Sequence, residues 1–235
     1  MTLAERRQRE KDKRREDILN AAEKLFFSQG YDNVSMDEIA NEAELSKPAL
    51  YYYFKDKESL FSAVVNRGIK ILRAMTLEEL KNSRTNGLKV GAMNLAVVKF
   101  GQEYPDHAKA LDYFWSGRFD LSNPENMSPD AKAIIEFSCE NYRRTISIVK
   151  DGIEDGTFRS DADPFLVAVL IALIGSGVAQ MNPFLRKNME KHGISMQRLN
   201  LEVGDLAYRM VMHIEEGNEN IRVRTLDSHI REDMA

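Results

Sequence analysis

Two helix-start signals, eleven residues apart, limit what residues 35–54 can fold into. Ser35-Met36-Asp37-Glu38 has the spacing of a capping box. In that motif the serine hydroxyl accepts from the Glu38 N–H, and the Glu38 carboxylate reaches back to the Ser35 N–H. Val34 and Ile39 stand at the flanking positions of a hydrophobic staple. The helix so started can run only to about Ala43, because a second start follows at once. Leu45 and Leu50 repeat the staple spacing around Ser46, and Pro48 falls in the first turn, where its missing N–H costs nothing. Two short helices joined by three or four residues form a helix-turn-helix.

The remainder reads as helix throughout, and no segment shows sustained period-two alternation. Between Asp17 and Gln29 the apolar residues Ile18, Ala21, Ala22, Leu25 and Phe26 trace one buried face, and Gly30 stops the helix. Asp56 can cap a fourth helix covering Leu60, Phe61, Val64 and Val65, and residues 81–87 read as a loop. Helical patterns resume at 88–103 and 106–117. Ser128-Pro129 opens a long helix with Ile135, Cys139, Tyr142, Ile146, Val149 and Ile153 on one face, and Ile134, Phe137 and Ile148 opposite, a pattern that predicts burial on two sides. The segment 164–181 is the most apolar. It is shorter than the roughly 20 uninterrupted residues of a membrane span and is broken by Gly175, Ser176, Gly177 and Gln180. It reads as a core or interface helix, whose glycines would let another backbone approach. A last helix covers about 198–216.

Composition narrows the function classes. With 43% hydrophobic and 30% charged residues the chain is neither disordered nor membrane-embedded by default. One cysteine leaves no internal disulfide and no multi-cysteine zinc site. The charged amino terminus lacks the apolar stretch of a signal peptide. The net charge of -4 hides an uneven distribution: residues 1–15 carry seven basic groups against three acids, and residues 16–57 carry four against nine. Any phosphate contact must come from a few placed groups.

The stretch Ile18 to Phe61, ILNAAEKLFFSQGYDNVSMDEIANEAELSKPALYYYFKDKESLF, resembles the tetracycline-repressor (TetR) family of transcription regulators. The phrase Asp151 to Phe158, followed by Asp163-Pro164, is similar to a turn in that family's second domain. The resemblance implies an all-α homodimer, with an N-terminal three-helix helix-turn-helix DNA-binding domain followed by a larger helical ligand-binding and dimerisation domain. The expected division is a basic arm at 1–11, a DNA-binding domain at 12–72 with its motif at 35–54, a regulatory domain at 73–216, and a loosely ordered tail at 217–235. One position departs from the family pattern: Glu44 stands in the turn where glycine is usual, and a left-handed backbone there costs about 1–2 kcal/mol.

The helix from about Ser46 to Phe54 is the candidate recognition helix for the major groove. Lys47 can donate to guanine O6 or N7, or to phosphate, and Pro48 and Ala49 offer small apolar surface to a thymine methyl. Matching the family pattern puts Tyr51 towards the groove, Tyr53 towards phosphate and Tyr52 at the edge. Ser35 and the N–H groups of its helix can receive a phosphate. Lys57 is placed like the family's phosphate-binding lysine. The basic tip could follow the DNA backbone or enter the minor groove.

In the regulatory half Tyr113, Trp115, Phe119, Phe137 and Tyr142 are candidate pocket residues for a small lipophilic or aromatic effector. Helices 164–181 and 198–216 would pair across a two-fold axis. The expected partners are therefore operator DNA, a second copy of the chain and a small-molecule effector, with no membrane and a cytoplasmic location. The four histidines are scattered, Asp106-His107 lacks the companions of a hydrolase, and Cys139 sits in an apolar pattern. No catalytic residue, metal or cofactor is expected. The functional expectation is a ligand-responsive repressor, with a regulator lacking an effector, or an activator, as the alternative.

Overall fold

The computed structural model describes residues 2–179 and 181–211. Ten α-helices and no β-strand occur among them. In chain order they are α1 (Leu3–Gln29), α2 (Met36–Glu42), α3 (Lys47–Tyr53), α4 (Lys57–Lys81), α5 (Asn86–Glu103), α6 (Pro105–Phe114), α7 (Pro129–Glu154), α8 (Pro164–Ala179), α9 (Pro183–Lys191) and α10 (Met196–Val211). The caps expected from sequence are present. Ser35 and Glu38 form the reciprocal capping box, Ser46 accepts from Ala49 N–H, Asp56 accepts from Ser59 N–H at 2.7 Å, and Ser128 accepts from Ala131 N–H at 3.1 Å.

The helices divide into two compact units. The first comprises the residues up to Met75 together with Lys99–Glu140. Its core brings Ile18, Ala22 and Phe26 of α1 against Ile39 of α2, Leu50 of α3, and Leu60, Phe61 and Val64 of α4. Phe100, Phe114, Ile134 and Phe137 belong to the same core. Burying a leucine or phenylalanine side chain contributes about 1.5–3 kcal/mol each, so α2 and α3, only seven residues long, are held by packing rather than by propensity. Charged groups tie this unit together. Arg67 on α4 reaches Glu16, Asn20 and Glu23 of α1, and Asp130 at the start of α7 accepts from both Arg15 and Asn66 at 2.8 Å.

The second unit comprises Thr76–Val98 and the described residues from Asn141 onward. Val90, Ile148, Val149, Phe158, Ala162 and Val167 form its core. After α7 the chain turns back on itself: Phe158 N–H bonds the Gly152 carbonyl at 2.7 Å, and Asp163 caps α8 through the N–H groups of Phe165 and Leu166.

The structure corrects two readings of the sequence and adds a helix. The first helix starts at Leu3, not at Asp17 where the apolar pattern begins. Thr2 and Glu5 form a capping box there, and Arg6–Glu10 and Gln8–Asp12 pair at i,i+4. A helix already nucleated by a packed segment lengthens without needing an apolar face. On α7 both sides contribute buried residues, Ile134, Phe137 and Ile148 on one and Val149 on the other, whereas Cys139 and Tyr142 of that second side are exposed. Residues 183–191, to which the sequence pattern assigns no element, form α9, capped by Asn182 and opened by Pro183. Among the described residues no backbone approaches Gly175 or Gly177: a Cβ would meet Asn94 Oδ1, at 3.8 Å, from Gly175 and nothing within 4 Å from Gly177. The last helix is described as far as Val211; its expected extension to 216 and the tail at 217–235 lie outside the described residues.

Candidate nucleic-acid interface

The seven residues of α3 divide cleanly by side. Leu50 is fully buried and Phe54, the residue that caps its end, is buried beside it, which anchors the helix on α1 and α4. The other side presents Ser46, Lys47 and Pro48 to solvent, with Ala49 half-buried. Tyr51 and Tyr52 are 43% and 71% exposed. Tyr53 instead packs partly against the core and meets the Tyr52 ring edge-on at 5.2 Å. The exposed face thus combines a cation, small apolar surface and two phenols, the groups that read base edges and phosphates in a major groove.

Polar neighbours set the charge state of this face. Lys47 Nζ lies 2.7 Å from Asp37 Oδ1 and 3.0 Å from Oδ2, so α2 supplies the counter-ion and keeps the lysine's pKa above its ordinary value. DNA binding through Lys47 must exchange that carboxylate for a base or phosphate. Glu38 accepts from both the N–H and the hydroxyl of Ser35 at 2.7 Å, which holds its carboxyl below the usual range. A phosphate at the start of α2 would therefore meet two carboxylates, Asp37 and Glu38, beside Ser35. Lys57 is half-buried and donates to the carbonyls of Tyr31 and Val34, both at 2.9 Å, with its Nζ 4.3 Å from the Tyr31 ring centroid. It clips the loop between α1 and α2 onto the start of α4 and keeps one N–H for other partners. Neither Asp37 as the partner of Lys47 nor the carbonyls under Lys57 could be found from spacing, since each pairing joins residues ten or more apart.

The turn between α2 and α3 explains the geometry that aims α3. Leu45 N–H bonds the Ala40 carbonyl at 2.8 Å and Glu44 N–H bonds the Asn41 carbonyl at 3.1 Å, the paired bonds of a Schellman motif. Glu44 takes the left-handed position with φ 54°. Among the described residues it alone has a positive φ without being glycine.

Residues 18–64 match the model of the tetR family of bacterial regulatory proteins, over the same helices α1 to α4. That stretch, about a fifth of the chain, is what it shares with the tetR family. Members of this family are DNA-binding regulators of transcription, not enzymes. Among the curated relatives, the transcriptional activator FasR of Mycolicibacterium smegmatis is 37% identical over 38% of this chain and 41% of its own length. The transcriptional regulator QacR of Staphylococcus aureus is 42% identical over 41% of this chain and 52% of its own. The chain thus spans about half or less of the length of these two relatives. Of the solved structures, a tetR-family regulatory protein from Rhodococcus RHA1 superposes with a TM-score of 0.64 at 23% identity, covering 86% of this chain and 99% of that one. That likeness extends the tetR-family fold well past the helix-turn-helix.

The five aromatic residues expected to line an effector pocket do not gather in one place. Tyr113 and Phe119 belong to the aromatic cluster of the first unit, 5.9 Å apart and both packed on Tyr31 and Phe61. Trp115 is exposed, edge-on to Phe114, and Phe137 is buried beneath the Arg73 guanidinium. Tyr142 lies exposed in the second unit. A cleft of about 180 Å³ in the first unit is lined by Phe26, Phe27, Tyr31, Phe61 and Tyr113, with Asp106 and Lys109 also on its wall. Among the described residues, no three metal-ligating side chains are grouped, and no helix is long and apolar enough to cross a membrane.

Proposed function

We propose that this chain is a tetR-family, ligand-responsive repressor that binds a palindromic operator as a homodimer in the cytoplasm and is released by a small lipophilic or aromatic effector. The observation that carries the DNA reading is the division of α3, with Leu50 and Phe54 buried and Lys47, Pro48, Tyr51 and Tyr52 turned outward. Lys47 and Tyr51 are the residues assigned to base edges, with Tyr52, Ser46 and Ser35 at the backbone. The homodimer reading is supported by α8 and α10. Phe165 and Leu173 on α8 are 64% and 61% exposed, and Leu206 on α10 is exposed as well. An apolar surface of this kind is what a two-fold helical interface buries. The small apolar cleft beside Tyr113 supports an effector of the size of one aromatic ring or a little more. Activation in place of repression is the second reading, favoured by the activator FasR among the relatives.

The test begins with duplexes enriched from a random pool by the parent protein, measured by fluorescence anisotropy against scrambled duplex. The parent is expected to prefer its enriched site by about a thousandfold, and Lys47→Ala with Tyr51→Ala to lose most of that preference. Equal binding to both duplexes would overturn sequence-specific recognition. Light scattering tests the assembly: a dimer is expected for the parent, and Leu173→Glu is expected to shift it to monomer. A monomeric parent at concentrations that saturate DNA would sink the homodimer.

A further inference from the structure

The helix-turn-helix carries the wrong charge for its partner. Residues 16–57 hold nine acidic and four basic side chains. Three of those four are engaged: Lys24 lies 2.6 Å from Glu42, Lys47 lies 2.7 Å from Asp37, and Lys57 bonds two backbone carbonyls. Duplex DNA presents one negative charge about every 1.7 Å. Cations from elsewhere must neutralise it, and the seven in residues 1–15 are arranged to do so.

Because α1 is one continuous helix from Leu3, the positions of those cations follow from its geometry. At about 100° per residue, Arg7, Lys11, Arg14 and Arg15 fall in one sector, in register with Ile18, Ala22 and Leu25. Those three are buried, so the inward stripe of α1 changes from apolar to basic above Ile18. Glu5, Glu10 and Asp12 fall outside that sector. Two contacts fix its direction: Lys11 Nζ lies 5.5 Å from the Tyr52 ring centroid, and the Arg15 guanidinium 5.1 Å from that of Phe54. Arg15 is also tied to Asp130 at 2.8 Å, which anchors the stripe. The basic stripe therefore runs along the same side of the unit as α3, with Arg7 one turn, about 6 Å, beyond Lys11. Arg7 has no ion pair among the described residues, and both it and Lys11 are exposed.

Resting on the DNA-binding reading above, we propose that the start of α1 is a preformed phosphate clamp in which Arg7 and Lys11 bind backbone phosphates beside the groove that α3 enters. The helical form decides between the two uses a basic tip can have. An α-helix with its side chains is about 10–12 Å across, and the minor groove is about 6 Å wide. The segment tracks the backbone instead of threading the groove. Its cap and i,i+4 pairs hold it in shape beforehand, so binding has less chain to order.

The test uses the full chain and the duplex enriched by the parent, with affinity measured across a salt series. Arg7→Gln with Lys11→Gln removes two charges from the stripe; Arg6→Gln with Lys13→Gln removes two from the opposite side of the same helix. Circular dichroism and melting curves should stay close to the parent for both, since all four side chains are exposed and the glutamine of Arg6→Gln can still donate to Glu10 across the exposed i,i+4 pair that Arg6 makes. The stripe variant is expected to flatten the slope of log K against log salt by about 0.9 per lost contact, close to 1.8 for each bound protomer, and to weaken binding by at least tenfold at physiological salt. The opposite-side variant should keep nearly the parental slope. Equal loss in both variants would mean diffuse attraction and overturn the clamp, as would no loss in the stripe variant. A parent that enriches no duplex would remove the DNA reading and the clamp together.

Discussion

Glu44 holds a backbone conformation that its side chain opposes. With φ at 54° it occupies the left-handed position of a Schellman motif, where glycine is the usual residue because a Cβ crowds the following carbonyl. The strain is about 1–2 kcal/mol, offset in a glycine variant by about 0.4–1 kcal/mol of extra freedom in the unfolded chain. Glu44→Gly is therefore expected to raise stability by up to about 1 kcal/mol, read from denaturant unfolding, while Glu44→Ala keeps the strained Cβ and gains little. Equal stability of the two variants would show that no strain is stored there. The departure at this residue was legible from sequence through the family resemblance, which puts glycine in the turn between the two short helices. The engagement of Lys47 by Asp37 and of Lys57 by two carbonyls was not, since both depend on how α2 and α4 pack.

At the scale of elements, local signals located nearly every helix and left one unread. Ser128, Asp163 and Asn182 are caps readable within four residues. Yet α9 was passed over, because Phe184 and Leu185 lie on the surface and leave no buried periodicity to see. The faces of α7 were ambiguous because apolar residues occur all round it, so only its neighbours decide that Ile134, Phe137 and Ile148 are buried. Near its end Gly152 is required by contact, since a Cβ there would collide with the Phe158 ring folded back over it. Gly152→Ala is expected to destabilise the second unit by about 1–3 kcal/mol through overpacking, read as a lower melting temperature. Adding Phe158→Leu to it should recover part of the loss. An unchanged melting temperature for Gly152→Ala would mean the turn can open without cost.

At the scale of the whole molecule, stability should depend on pH through His107. Its ring is nine-tenths buried beside Phe27, its Nδ1 has no hydrogen-bond partner among the described residues, and its Nε2 lies 3.9 Å from Glu23. Burial lowers its pKa; Glu23 and Asp106 oppose that shift and Arg67 adds to it. The folded protein thus binds the proton less readily than the unfolded chain, whose histidine titrates near 6.5. Stability is full above that value and is lost as pH falls through it towards the lower folded pKa. His107→Phe is expected to flatten the dependence of the unfolding midpoint on pH between 7 and 5. An unchanged dependence would place the acid sensitivity elsewhere.

By itself the sequence determined the all-helical class, the positions of the helix-turn-helix and its turn, and the likeness of residues 18–64 to the tetR family. Capping and periodicity act between residues a few positions apart, so they survive in a bare string of letters. Only the tertiary structure decided that the charged start of the chain continues α1, that its stripe of cations lies beside Tyr52, and which lysines already have partners. Those outcomes join residues ten to more than a hundred positions apart. The energies of such pairings depend on distance and burial, which exist only once the helices have packed.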